Sequence, residues 1–323
     1  MIKRSSKTIA EKLLIEPICK GANRLCIVSF KATPSTASWL LKTYDELGIF
    51  DVSVELIVES VLYDGIDTAS HEGFKELHHK PYSKFTGTFS CSYLYQSPSL
   101  DKNLYIWLND ETPVQAFSCS CDFTQKAMLK EDNGTIADCT ASDAYSAYVR
   151  VVNQSIYCNH CEVEDYIIIR SSSFNTNDSG TQNSHNCVVL SLLTNTGEPG
   201  TKSGLNWGQR NKRNKNEAYI PLPSKVARSG FFPLEKQHFL AVTDDYHTLQ
   251  LRVEQQNDKA ITTPASNALL GEYFRNRLGL PNGAYVHACD LQAYGRTDVA
   301  FYKIDEEQYY MDFSPKIKGL NDV

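Results

Sequence analysis

The 323-residue chain contains no run of about 18 or more apolar residues, so no segment reads as a membrane span. Its first residues, Met1, Ile2, Lys3 and Arg4, are not followed by the apolar stretch that a secretory signal carries. These absences lead to the expectation of a cytoplasmic protein, whose ten cysteines are reduced thiols and not a disulfide framework. An excess of positive charge is also missing. The formal net charge is -6, which by itself speaks against a nucleic-acid partner. No internal repeat is visible. What remains is a chain with 41% hydrophobic and 22% charged residues, long enough for two domains that each bury a core.

The charge is unevenly spread. Residues 1–185 carry 16 basic and 23 acidic side chains, whereas residues 186–323 carry 16 and 15. Within the second part, Gly200 to Asn216 contains Lys202, Arg210, Lys212, Arg213 and Lys215 and no acid. A basic stripe on a near-neutral domain is what a phosphate backbone attracts, although charge alone favours the reading of a solvated loop.

The first part alternates strand-like and helix-like runs. Leu25 to Phe30 and Val52 to Val58 read as strands. Ser35 to Leu47 reads as a helix capped by Thr33 or Ser35, and His71 to His79 as a second helix. Strands follow at Phe89 to Tyr95, Asn103 to Leu108 and Val114 to Ser118, and Ile167 to Ile169 closes the region. This order predicts an α/β domain over residues 1–172. Ser171 to Asn186 is polar and aperiodic, so residues 173–185 read as a linker. Residues 186–323 are dominated by short β-type runs: Cys187 to Leu193, Glu217 to Ile220, Phe239 to Val242, Leu249 to Val253, Tyr285 to Ala288 and Val299 to Ile304. One helix is expected from Asn267 to Leu278, capped by Ser266 or Asn267, with Gly279 ending it. The pattern is that of a mainly-β barrel with one or two short helices.

Three sets of residues carry a resemblance. The first is Asn103 to Trp107 (NLYIW) with Ala116 to Lys126 (AFSCSCDFTQK). The second is Ile156 to Glu164 (IYCNHCEVE). The third is Ser203 to Arg210 (SGLNWGQR), Asn216 to Pro223 (NEAYIPLP) and Tyr294 to Asp305 (YGRTDVAFYKID). In this order they resemble the NgoFVII-type restriction endonuclease family over nearly the whole chain. The resemblance implies a phospholipase D-like nuclease domain, then a pseudobarrel DNA-binding domain of the B-three type.

Phospholipase D-like nucleases use no metal. A His attacks phosphorus, a Lys two residues on binds the phosphate, and a later Gly-Ser-x-Asn supplies donors. In a strand, residues i and i+2 share a face, so that His and Lys point at one phosphate. Matched through Leu104 to Trp107, the His position holds Asp101 and the Lys position Asn103. Matched through Phe123 to Gln125, the Gly position holds Cys119, the Ser position Ser120 and the Asn position Asp122. Lys102 is one residue out of register. Two carboxylates thus stand where a phosphate anion wants cations and neutral donors. The expectation is a site that is inert by the family mechanism, with Glu131 as a remnant. Asp101, Asp122 and Glu131 holding Mg2+ is the alternative. Cys119, Cys121, Cys158, His160 and Cys161 raise the question of zinc, but the one-residue gap between Cys119 and Cys121 is not a usual ligand spacing, so ordinary thiols are expected. No cofactor is called for. His71, His78 and His79 read as helix-surface residues.

For the second domain the resemblance implies two arms in the major groove. The N-arm is the loop Thr194 to Asn216, whose Gly200, Gly204 and Gly208 permit close backbone approach. Asn206, Gln209 and Arg210 suit base edges, while Lys212, Arg213 and Lys215 suit phosphates. The C-arm falls on Thr262, Thr263, Ser266 and Asn267; for the last two, helix capping is the equal alternative. Arg275 and Arg277 reach phosphate or serve the surface. Arg296 contacts DNA or pairs with Asp298. Trp207 packs on the barrel or supports the N-arm. The expected partner is double-stranded DNA, bound as a homodimer through the first domain or beside an active nuclease or ATP-dependent translocase. Two other functions remain open: an endonuclease with a rearranged site, and a sensor of modified or foreign DNA.

Overall fold

The computed structural model describes residues 8–79, 87–96, 100–130, 134–171 and 186–316. The chain divides into two compact units, residues 1–172 and 173–323. The expected linker 173–185 lies outside the described residues, as does Glu131.

The first unit runs β1 (Arg24–Ser29), α1 (Pro34–Leu47), β2 (Ser53–Val58), α2 (Val61–Asp64), β3 (Ile66–Asp67), α3 (Thr68–His79), β4 (Phe89–Leu94), β5 (Asn103–Asn109), β6 (Thr112–Cys119), β7 (Ile136–Cys139), α4 (Ala141–Val152), β8 (Ser155–Tyr157), α5 (Val163–Tyr166) and β9 (Ile169–Arg170). Seven strands form one sheet in the order β7-β6-β5-β1-β2-β4-β8, while β3 and β9 pair separately. β1, β2 and β4 are parallel; β5 runs antiparallel against β1.

The apolar run of β1 has a simple cause. Leu25 and Ile27 pack on one side with Leu40, Leu41 and Tyr44 of α1 and Phe74 of α3. Cys26 and Val28 pack on the other with Ala144, Tyr148 and Val151 of α4. Both faces of the sheet are covered, so period-two alternation is lost. α1 begins where the Thr33 hydroxyl accepts the Thr36 amide at 3.2 Å and Pro34 fills the first turn. It ends at Gly48, φ +68°. Several sequence assignments shift. Ile167 to Ile169 yields only the two-residue β9, and α4 was not foreseen. His71, expected on a surface, is buried with Nδ1 3.1 Å from the Tyr93 hydroxyl. His78 Nδ1 accepts the Cys91 amide at 3.2 Å. All ten cysteines are free thiols.

The second unit contains β10 (Cys187–Ser191), β11 (Ile220–Pro221), α6 (Ser224–Ala227), β12 (His238–Thr243), β13 (Thr248–Glu254), β14 (Ala260–Thr262), α7 (Asn267–Arg277), α8 (Ala288–Tyr294), β15 (Asp298–Lys303) and β16 (Gln308–Asp312). Its sheet order is β10-β15-β16-β12-β13-β14-β11, with β10 and β11 approaching each other so that the sheet nearly closes. Phe232, Phe239, Phe274, Phe301, Tyr309 and Phe313 fill the interior. The expected architecture holds in both units, α/β and then mainly β. The run Tyr285 to Ala288 is not a strand, however. It is a loop leading into α8, where the Asp290 carboxylate accepts the His287 amide at 2.7 Å.

Candidate functional site

In the first unit the C-terminal ends of the parallel strands β1 and β2 meet the start of β5 and the end of β6. Ligands of open α/β sheets bind outside the carboxyl ends of the strands, at the point where the strand order reverses. Asn103 opens β5 opposite Cys119. Its side chain is buried: Oδ1 accepts the Phe30 amide at 2.6 Å, and Nδ2 donates to Asp122 Oδ1 at 3.3 Å. The same Asp122 oxygen accepts the Lys31 amide at 3.3 Å. The positions matched to the family's phosphate-binding Lys and Asn are therefore brought together, and they fasten the loop after β1. The Ser120 hydroxyl accepts from the Thr135 amide and hydroxyl at 3.1 and 3.2 Å. Asp101 and Lys102 are exposed in the turn before β5. Beside this cluster Glu59 is buried. One oxygen accepts the Leu100 amide at 2.8 Å, the other has no partner, and burial pushes the carboxyl upward from its ordinary range. Among the described residues no three His, Cys, Asp or Glu side chains gather as metal ligands. Cys119 is fully buried, and burial raises its thiol to about 12.

In the second unit the loop between β10 and β11 carries the basic stripe. Residues Gly204–Gln209 form a 3-10 helical segment inside it. Lys202, Arg210, Lys212 and Lys215 are exposed. Arg210 Nε donates to the Lys202 carbonyl at 2.8 Å, which leaves the two Nη groups for an outside acceptor. The other expected contact residues of the arm have partners within the domain. Asn206 is wholly buried: Nδ2 donates to the Val286 carbonyl at 2.8 Å, and Oδ1 accepts the Val286 amide at 2.9 Å. It clamps the arm to the backbone at Val286. Gln209 is half-buried and donates to the Gly283 carbonyl at 3.1 Å. Arg213 lies 4.0 Å over the Trp207 ring and pairs with Glu217, so the Trp207 and Arg213 side chains brace the arm. Gly208 serves the arm's own fold. A Cβ there would meet the Asn214 carbonyl at 2.2 Å.

The residues expected in the C-arm are also held by internal bonds. Thr262 is buried and donates to Glu254 at 2.8 Å; Thr263 is buried and donates to the Ser266 carbonyl at 2.7 Å. Ser266 caps α7, accepting the Ala268 amide at 3.3 Å, and Asn267 Oδ1 is a buried oxygen without a partner. Arg275 is wholly buried and donates to the carbonyls of Ala284, Gly271 and Leu205 at 2.8, 3.1 and 3.1 Å. Arg277 is held by Asp244 at 2.6 Å. Arg296 pairs with Asp298 at 3.0 Å, as the alternative reading expected, and with Asp312 at 2.7 Å, which ties the strand ends together. What projects instead is the turn between β13 and β14. Gln255, Gln256, Asn257 and Lys259 are exposed, and Gln255, Asn257 and Asp258 adopt φ of +70°, +64° and +53°. This turn borders a cleft of about 400 Å³ with Ser224, Arg228 and Leu234 on its other wall. Sequence reading missed it, although its run of amide side chains beside a Lys was visible.

An α/β sheet unit followed by a nearly closed β-barrel with a cationic arm defines a two-module protein. Residues 7–165 match the NgoFVII restriction endonuclease N-terminal PLD domain, and residues 181–305 match the NgoFVII C-terminal B3-like DNA-binding domain. The chain belongs to the NgoFVII restriction endonuclease family. A search among curated proteins found no match.

Proposed function

We propose that the chain is a sequence-specific double-stranded-DNA-binding protein of a restriction system, with a nuclease-like half that is inert by the covalent His mechanism. The observation that carries the second clause is the bonding of Asn103 to Asp122 and of both to the amides of Phe30 and Lys31. A phosphate entering there meets a carboxylate already engaged with the backbone, and no His stands at the matched positions. Like charge repels the substrate anion. DNA binding rests on the exposed cations Lys202, Arg210, Lys212 and Lys215, with the β13–β14 turn and Arg228 as a second contact. Arg210, tethered through Nε, offers two parallel donors of the kind that recognise guanine. Lys212 and Lys215 position the backbone. The protein acts in the cytoplasm, as a dimer through its first unit or beside an active nuclease or translocase.

The test is selection of bound duplexes from a random library at physiological salt, where weak phosphate binding fades. A short enriched motif, lost in Arg210→Ala, is expected, together with no cleavage of that duplex with or without Mg2+. Cleavage abolished by Asp101→Ala or Asp122→Ala would overturn the inert reading. Absence of any enriched motif would overturn sequence-specific binding.

A further inference from the structure

The basic arm is not a free loop. Its inner side is fastened to the segment between α7 and α8. Asn206 bonds the Val286 amide and carbonyl, Gln209 bonds the Gly283 carbonyl, and the Gly283 amide donates to Asn216 Oδ1 at 2.6 Å. Arg275 joins the Ala284 carbonyl to the Leu205 carbonyl through one guanidinium. A Cβ on Gly283 would come within 3.0 Å of the Lys215 Cβ, so the segment and the cationic arm form one continuous surface. The outer side of the segment carries chemistry of its own. Val286 is buried, while its neighbours Tyr285 and His287 place their rings 4.7 Å apart, tilted by 47°. His287 and Asn282 are exposed and Tyr285 is half-buried. Carboxylates nearby are engaged: Asp290 with the His287 amide, Glu217 with Arg213 and Glu272 with Asn216. The surface beside Lys215 therefore presents a phenol hydroxyl and an imidazole as hydrogen-bond donors.

We propose that residues 281–287 form a third DNA-contacting element, in which Tyr285 and His287 donate to the sugar–phosphate backbone flanking the groove that the arm enters. This rests on the DNA-binding reading above. Neutral donors bound to phosphate add affinity without reading sequence, and they release no counterions. Their signature therefore differs from that of the lysines: affinity falls, but its salt dependence stays.

The experiment compares the full chain with Tyr285→Phe/His287→Ser and with Lys212→Ala/Lys215→Ala. Each is titrated at about pH 8.5, above the ordinary imidazole range, against the selected duplex and an unrelated duplex over a series of salt concentrations. Tyr285→Phe keeps the ring, and Ser suits the cap position at the start of α8. The Tyr285/His287 variant is expected to bind both duplexes roughly tenfold more weakly, the loss of about two hydrogen bonds, with the salt slope unchanged. The lysine variant is expected to flatten the slope by about two. Wild-type affinity in the Tyr285/His287 variant, or a flattened slope, overturns the inference while the DNA-binding reading stands. If the unaltered chain binds no duplex, both fall. Should the double variant melt lower, Tyr285→Phe alone carries the test, with roughly threefold weaker binding expected from one lost hydrogen bond.

Discussion

Arg296 sits with its side chain 4% exposed between Asp298 and Asp312. Burial disfavours its charge, but the two carboxylates more than offset this, and its pKa rises. For Asp312, burial pulls the carboxyl up while bonds from Ser314 and Arg296 outweigh it, so the pKa falls below the ordinary range. A depressed folded pKa contributes stability that is present above about 3.9 and is lost as pH falls through the lower folded value. Arg296→Ala leaves the Asp312 carboxylate without its cation, while Asp298 keeps Lys316. We expect a loss of about 3 kcal/mol in denaturant unfolding at neutral pH; a loss no larger than that of an ordinary surface substitution would contradict the pairing. Glu59 has the opposite sign. Its raised folded pKa makes its contribution fully present below about 4.3 and lost as pH rises through the folded value. Glu59→Gln should therefore raise the melting temperature at pH 8 and have little effect near pH 4. Equal effects at both pH values would show that its ionisation is not the cause.

At the scale of elements, the arm between β10 and β11 owes its shape to side chains that sequence reading assigned to DNA. Residue type says that Asn206, Gln209 and Thr262 can hydrogen-bond; it does not say in which direction. Asn206→Ala removes both bonds to Val286 and leaves two backbone groups buried, a loss of about 2–3 kcal/mol. It should also raise proteolytic cutting within residues 200–216, and unchanged protection would deny the clamp. Gly208→Ala drives a methyl into the Asn214 carbonyl and should weaken DNA binding more than Lys202→Ala does, because it displaces the whole arm. The lysines and Arg210 behave differently, since their place was legible from charge clustering alone. Where no acid interrupts a run of cations in a loop, solvent exposure follows from desolvation cost.

For the whole molecule, a duplex that binds only the folded state must raise thermal stability. At a hundredfold excess over Kd the gain is about 2.7 kcal/mol, visible through Trp207, which stands in the arm. A melting temperature unmoved by saturating duplex would contradict binding to the native fold. Core patterning determined the two-module architecture early. The buried run of β1 and the helix that follows it to Leu47, with Thr33 as one of two cap candidates, are local and could be read residue by residue. The short β-type runs of the second unit and the Ser266 cap of α7 could be read similarly.

What the sequence by itself determined is therefore the α/β and mainly-β classes of the two units and the placing of exposed cations, because periodicity, capping and charge density act over a few neighbouring residues, while the family was carried by the resemblance of its motifs. Tertiary structure alone decided which polar side chains face inward. Arg275 and Arg296 are as cationic as Arg210, yet contacts from residues distant along the chain turn them into internal ties. It also decided that Asn103 and Asp122 bond across 19 positions of sequence, since only the pairing of β5 with β6 brings those strand ends together.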